Sequence, residues 1–583
     1  MIQPSVHYSL TPTDPKGHVF TTQCKIPQAM AQQEFFLPNW IPGSYKIREF
    51  CKHIIRMHAT ANGQPVALVQ LSKNRWRVES PPAELVITAE IYAWDISVRG
   101  CHLDQTHGFF NGTHAFFAVD GLEHAPCTVE FHPPEGKSFH AWELATAMEP
   151  HDVKSNGFGA YSAQNYDELI DHPVEMGLFE SIDFKSEGVP HRIVITGPCV
   201  LDREKLGQDL SKLCAEHIRL FGEFPSSHYL FLTRVYGKAF NGLEHRASSS
   251  LVISRKNMPY PGMPENTEDY ATFLSLASHE YFHTWNVKRI KPEVFLPYDL
   301  DKENYTRQLW VFEGFTSYYE DLALVRAGLI SVDRFLGFFA EKMTSLLNGP
   351  GHLVQSVCDS SFCAWDKFYD PNENSPNATV SYYTKGAVIA FIIDAYLREH
   401  SEMTLDDLMR TLWEKFGKIY QGVPENWIES HLGEITKQGL SALLHDCLQE
   451  AKPLPIDQAA KSLGIEFSYR VKESDCAVEL GVKTDSDNVI TVCYTGSAAH
   501  QAGLSAQDKL LAINGIALSS DKLDILLRTH QPGDKVTLHA FRRDELMVFE
   551  VTLQQKRPQE VNLSLADVEG AVLVRREAWL KGR

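Results

Sequence analysis

The sequence predicts a multidomain α+β chain: an N-terminal β-sandwich-like domain, a middle region in which a sheet is followed by helices, and a C-terminal β module. Three observations predict this. Residues 1 to about 165 alternate short apolar runs with Gly, Pro and Asn turns and show no amphipathic helix. Helical spacing of apolar residues dominates from Asn266 to about Glu450. Short apolar runs return after about residue 460. A chain of 583 residues has room for three or four domains, and 43% hydrophobic residues suffice for packed cores.

In the first region, Leu85-Ile87, Ile91-Trp94 and Val129-Phe131 read as strands. The cluster His102, His107, Phe109, Phe110 and His114 raises the idea of a second metal site. Its irregular spacing favours turn and core histidines instead. From residue 166, Ile193-Ile195 and Tyr229-Leu232 read as strands and Arg203 to Phe221 as a helix. A further helix is expected from Asn266 to Val287. Asn266 is its N-cap, Glu268 and Asp269 lie in its first turn, and Phe273, Leu274 and Ala277 recur at helical spacing. The next helix is expected from about Thr306 to Arg326, stopping at Gly328. A long Gly, Pro, Asn and Ser-rich loop fills Asn348 to Asn377. Thr404, with Asp407 three residues on, marks a helix start.

The chemistry concentrates in His279-Glu280-Tyr281-Phe282-His283. Histidines four apart share one helix face and can reach one metal ion. Glu280 is placed to take a proton from a water at that metal. Glu313, on the second helix, would complete a His2Glu zinc site with one open position, the catalytic type. Glu320, seven residues on, shares its face. It reads either as a group orienting a ligand histidine or as a solvated carboxylate.

At these residues the chain resembles the gluzincin zinc metallopeptidases, and more closely the PDZ-containing glycyl aminopeptidase family. Leu37-Pro38-Asn39-Trp40-Ile41-Pro42-Gly43-Ser44-Tyr45, with Arg48 and Phe50, is similar to that family's N-terminal β domain. Gly242-Leu243-Glu244-His245 resembles the glycine-rich exopeptidase motif, and Tyr383-Thr384-Lys385-Gly386 the tyrosine motif. The resemblance implies one zinc per chain, Glu244 as the group holding a substrate amine, Tyr383 rather than Tyr382 as oxyanion donor, and a Gly/Ala preference. It also implies a thermolysin-like catalytic domain over residues 166–457. The spacing from His283 to Glu313 is longer than in the best-known aminopeptidases. Over residues 458–560, Leu480-Gly481-Val482 and Leu510-Leu511-Ala512-Ile513-Asn514-Gly515 resemble a PDZ domain of the bacterial protease type. Leu480, Gly481 and Val482 would form its carboxylate loop for a C-terminal peptide ligand. Residues 561–583 read as a tail. A PDZ-guided endopeptidase and a non-catalytic peptide-binding protein are the alternatives to an aminopeptidase acting on peptides with a free N-terminus.

Composition excludes some classes. A net charge of −19 argues against nucleic acid and does not favour anionic lipid. No apolar run approaches the ~20 residues that span a bilayer. The start, Met1-Ile2-Gln3-Pro4, lacks the basic and apolar regions of a signal peptide. Eleven scattered cysteines read as thiols in a reducing compartment, hence a cytoplasmic expectation.

Overall fold

The computed structural model describes residues 5–79, 83–265, 267–437, 439–472, 476–519 and 523–582. It divides into two compact units. The first comprises Met1–Asn304, Ala323–Ile330 and Met409–Val423; the second comprises Tyr305–Leu322, Ser331–Leu408 and Pro424–Arg583.

The first unit begins β-rich. Val6–Asp14 alternates buried and half-buried side chains, the period-two pattern of a strand with one core face. It pairs antiparallel with Val19–Ala29 and parallel with Cys127–Phe131 inside an eight-stranded sheet. Leu85 to Ile91 lie on one strand, Ala83–Tyr92, and Trp94 falls beyond its end. The two runs separated in the sequence reading are therefore one element. Two four-stranded sheets complete this region.

A five-stranded sheet follows, in the order Phe179–Ser186, Val189–Thr196, Tyr229–Tyr236, Ser248–Ser254, Phe240–Glu244. Its middle strands pair in parallel and are buried almost throughout, as strands covered on both faces must be. Phe240–Glu244 is the last strand, antiparallel to Ser248–Ser254. The helix Arg203–Phe221 has the expected bounds. The Asp202 carboxylate accepts from the Lys205 amide at its start, and Gly222 ends it at φ +85°.

The helix carrying His279 and Glu280 runs Glu268–Phe282, with His283 as its C-cap residue, and packs against the last two strands of the sheet. Thr267 occupies its N-cap position; Asn266, the expected cap, lies outside the described residues. The helix stops five residues short of Val287. Beyond it the chain turns inward, and Arg289 donates to the Thr284 carbonyl at 2.8 Å. A side chain thus satisfies an acceptor that a continuing helix would have used.

The expected helix Thr306–Arg326 is two helices, Leu309–Phe312 and Gly314–Arg326, interrupted at Glu313. Side-chain demands stop it from starting earlier. Thr306 donates to the Glu425 carboxylate at 2.6 Å, and Gln308 to the Pro424 carbonyl at 2.7 Å. The stretch from Asn348 to Asn377 is not a structureless loop. It contains the helical turns Pro350–Leu353, Val357–Phe362, Ala364–Phe368 and Ser375–Ala378. The Thr404 start holds: its amide donates to Asp407, and the Asp407 amide donates back to its hydroxyl.

Residues 476–555 form a small β module with its own core, built on Val478, Leu480, Ile490, Leu510, Leu538 and Val551. The residues read as a tail are structural. Glu560–Leu565 pairs with Ile465–Arg470, and the helix Gly570–Lys581 buries Trp579 against Phe335 and Phe391. The Trp579 indole donates to the Tyr318 hydroxyl at 2.7 Å. No helix among the described residues is long and apolar enough to cross a membrane. All eleven cysteines are free thiols.

Truncating a fully buried indole removes its packing and its hydrogen bond to the Tyr318 hydroxyl, which keeps its donation to the Asp394 carboxylate at 2.8 Å. Trp579→Ala is therefore expected to destabilise the protein by about 3–5 kcal/mol, read as a lower denaturation midpoint. An unchanged midpoint would contradict this packing.

Candidate active site

In the first unit, one helix and one strand bring the acidic and imidazole groups together. His279 and His283 face each other, with their Nε2 atoms 3.0 Å apart. His283 Nδ1 donates to the Asn286 carbonyl at 2.6 Å. That bond makes Nδ1 the protonated nitrogen and Nε2, directed toward His279, the one that carries a lone pair. Two converging imidazole nitrogens, one locked in this way, fit a borderline divalent metal such as zinc.

Glu280 lies on the same helix, facing the strand Phe240–Glu244. The approach is so close that a Cβ at Gly242 would stand 1.9 Å from the Glu280 carboxylate. Any side chain there would push the Glu280 carboxylate aside. Two residues along, on the same face of the strand, Glu244 is buried at its end. A Cβ on Gly43 would meet its carboxylate at 2.5 Å, and Gly43 has φ +94°, a conformation that favours glycine. Glu244, Glu280 and His283 each offer a ligand atom within 4.8 Å of the others.

The Trp40 to Tyr45 segment is held in place by polar contacts. The Trp40 indole donates to the Asp299 carbonyl, and Asn39 to that of Asp301, each at 2.8 Å. Arg99 bridges this segment to the strand, donating to Ser44 Oγ at 3.0 Å and to Asn241 at 2.6 Å. Just after Glu244, Asp171 gathers the His245 ring, the Arg246 amide and guanidinium, and Lys288 at 2.7 Å. Burial alone would raise the Asp171 pKa. Lys288, His245 and Arg246 outweigh it and hold the carboxyl well below its usual range. Asp171 carries no motif signal, and Gly43 lies in the Leu37–Tyr45 motif with no sign there of its contact with Glu244; the fold reveals both roles.

In the second unit, Glu313 is buried at the break between its two helices. The helix Tyr382–His400 crosses at this point. A Cβ on Gly314 would lie 2.5 Å from the Gly386 Cα, so paired glycines allow backbone-to-backbone contact. That contact sets the Tyr383 motif beside Glu313. Burial pushes the Tyr383 phenol well above its ordinary pKa, and the Glu313 charge adds to the effect. Tyr383 and Tyr369 hydroxyls are 3.2 Å apart. Tyr382 is fully buried and stacks on Tyr383. Glu320 pairs with Lys342 at 2.8 Å, and Lys342 also binds Asp321, so Glu320 is not a solvated carboxylate. In the C-terminal module, Leu480 is buried, Gly481 has φ +73° beside Ser497, and Val482 opens the short strand Val482–Thr484.

A helix presenting two imidazoles and a glutamate to the last strand of a sheet is the arrangement of a metallopeptidase, and comparisons with known proteins agree. The sequence pattern of the Peptidase M61 N-terminal domain matches residues 7–178, and that of the M61 glycyl aminopeptidase matches residues 272–389. The crystal structure of an aminopeptidase N family protein from Idiomarina loihiensis shares 39% identity, with 99% of this chain and 100% of that one covered and a TM-score of 0.94. An M1 zinc metallopeptidase from Deinococcus radiodurans shares the fold at 12% identity and a TM-score of 0.51, over 78% of this chain and 95% of that one. No curated protein gave a significant match. The chain belongs to the M61 glycyl aminopeptidase family and is a metallopeptidase.

Two predictions test how the first unit holds these groups. Gly242→Ala should displace the Glu280 carboxylate by about 1 Å and lower kcat about 10²-fold, with melting temperature little changed. Wild-type kcat would show that the close approach is unimportant. Asp171 has a depressed pKa, so its stabilisation is present above its unfolded value near 4 and is lost as pH falls through the folded value. Asp171→Asn leaves Lys288 buried without its counter-charge and should cost about 3–5 kcal/mol at neutral pH. Equal stability of mutant and wild type at pH 7 would contradict this.

Proposed function

We propose that the protein is a zinc aminopeptidase, with the metal held by His279, His283 and Glu313. The observation that carries this reading is the convergence of Glu244, Glu280 and His283 at one end of the strand Phe240–Glu244. Bound zinc would supply a Lewis acid that lowers the pKa of a water to about 7. Glu280 accepts the proton of that water as it attacks the scissile carbonyl, then delivers it to the departing amine. Tyr383 keeps its proton at neutral pH and donates to the carbonyl oxygen as negative charge develops. Glu320 helps to orient a ligand imidazole.

Glu244 gives the enzyme its exopeptidase character. A substrate ammonium has a pKa near 8 and is largely charged at neutral pH. A buried carboxylate with Gly43 closed over it accepts that ammonium and leaves little room for a preceding residue. This favours an aminopeptidase over an endopeptidase, and the presence of a base beside a locked ligand imidazole favours a catalyst over a passive binder. The family description suggests glycine as the residue removed, and alanine beside it rests on the motif resemblance alone.

For the C-terminal module we propose a PDZ role, in which Leu480, Gly481 and Val482 receive a peptide's terminal carboxylate. These residues line a groove of about 660 Å³ together with Leu523 and Leu527. The strand Val482–Thr484 pairs with Ile490–Cys493 alone among the described residues, so its second edge is available for an added strand. The free thiols fit a reducing compartment such as the cytoplasm.

Glu244→Gln should lower kcat/KM for a free aminoacyl amide by about 2 kcal/mol or more and narrow the gap to its N-acetylated counterpart. The exopeptidase reading fails if wild type cleaves N-blocked peptides as well as free ones and Glu244→Gln changes neither. Tyr383→Phe should lose about 10²–10³ in kcat with little change in KM. A larger loss in Tyr382→Phe would reassign the donor.

A further inference from the structure

The hairpin formed by Cys101–Leu103 and His107–Phe110 gathers three metal-ligating side chains on one face. His102 and Asp104 are two apart, so they share a face. The register sets Phe109 opposite His102, and the Asp104 amide donates to the His107 carbonyl at 2.9 Å, so His107 stands opposite Asp104 on that same face. The irregular 102, 104, 107 spacing, which looked unpromising in the sequence, is what a two-residue turn between paired strands requires. His102 Nε2 lies 3.2 Å from Asp104 Oδ2, and the two imidazole rings are 4.8 Å apart. All three residues offer ligand atoms within 4.8 Å of one another. His114 is not part of this group; it is buried against Phe50 and His53.

The surroundings match those of a metal ligand set. Glu175, directly opposite Phe109 on the neighbouring strand, takes the Nδ1 proton of His107 at 2.9 Å. This leaves Nε2 as the atom that His107 offers, the carboxylate–histidine relation that commonly orients a ligand imidazole. Glu175 is itself buried, and its charge is balanced by the buried Arg234, 4.0 Å away and stacked on Phe109. Trp94 covers the His102 ring at 5.0 Å. His102 Nδ1 is buried and has no hydrogen-bond partner among the described residues. Asp104 Oδ1 is occupied by the Thr106 amide and hydroxyl and the His107 amide, which leaves Oδ2 for a cation. Asp104 is also the one partly exposed member, so solvent can reach a fourth position from its side.

We propose that His102, Asp104 and His107 form a second divalent-metal site, distinct from the paired-histidine centre, which takes a borderline cation such as Zn²⁺, Co²⁺ or Ni²⁺. Two nitrogens and one oxygen select this class over Ca²⁺ or Mg²⁺, which favour all-oxygen sets. Tetrahedral bonds of ~2.0–2.1 Å place ligand atoms ~3.4 Å apart. The His102–Asp104 pair already has nearly that separation, and His107 offers its atom within 4.8 Å of both. The site is structural: it would pin the turn to the strand beside it.

The test is metal stoichiometry of the full chain after chelator treatment and reloading with Co²⁺, with the visible spectrum recorded. The expected result is about two equivalents in wild type, and one fewer in His107→Ala than in its parent, whether the parent is wild type or His283→Ala. Asp104→Asn retains the turn acceptor and volume, and should weaken the second equivalent at least tenfold while the fold is kept, as judged by circular dichroism. Metal content that is the same in His107→Ala and Asp104→Asn as in wild type, whether wild type saturates at one equivalent or at two, would overturn the proposal. Comparison in the wild-type background keeps this result separate from any failure of the assignment of His283.

Discussion

The arrangement of the first unit depends on one close approach. A helix bearing His279 and Glu280, and ending at His283, presses onto the last strand of a mixed sheet, and the contact is made where the strand has no side chain, at Gly242. The consequence is geometric. The Glu280 carboxylate lies over the strand backbone, and Glu244, two residues on, projects from the same face. The proposed base and the proposed amine-binding carboxylate are thereby placed by rigid elements and not by a loop, which is how functional groups are held to sub-ångström tolerance. The same device recurs in the second unit, where Gly314 and Gly386 let two helices touch and set Tyr383 beside Glu313.

The flanking structure makes these contacts durable. Gly43 closes over Glu244, and its loop is tied down through Trp40, Asn39 and Arg99. Asp171 anchors the residues that follow Glu244 with three cationic or donor groups in a buried setting. A buried charge network of this kind contributes little net stability when intact and is costly when one member is removed. Its value lies in fixing one position for the strand end.

Much of this was legible in the sequence where local chemistry dominates. The helix Arg203–Phe221 could be read because Asp202 and Gly222 cap it, and the Thr404 start because Thr404 and Asp407 satisfy each other. The paired histidines follow from helical spacing alone. Errors arose where distant groups override local preference. Arg289 takes the Thr284 carbonyl and ends a helix early; Glu425 claims Thr306 and delays another. The C-terminal residues read as a tail because one buried tryptophan among charged residues gives a weak periodic signal, yet Trp579 is fully buried. The roles of Gly43 and Asp171 rest on contacts across more than seventy residues of chain, which no local pattern encodes.

The central claim is that Glu280 is the proton acceptor beside a metal it does not itself bind. Metal content and turnover of Glu280→Gln, measured on the same preparation, test it directly. The amide keeps the shape of the carboxylate and its place over Gly242 but cannot accept a proton. The account predicts wild-type metal content with nearly all turnover lost. Near wild-type kcat in the variant, or loss of metal together with activity, would contradict it.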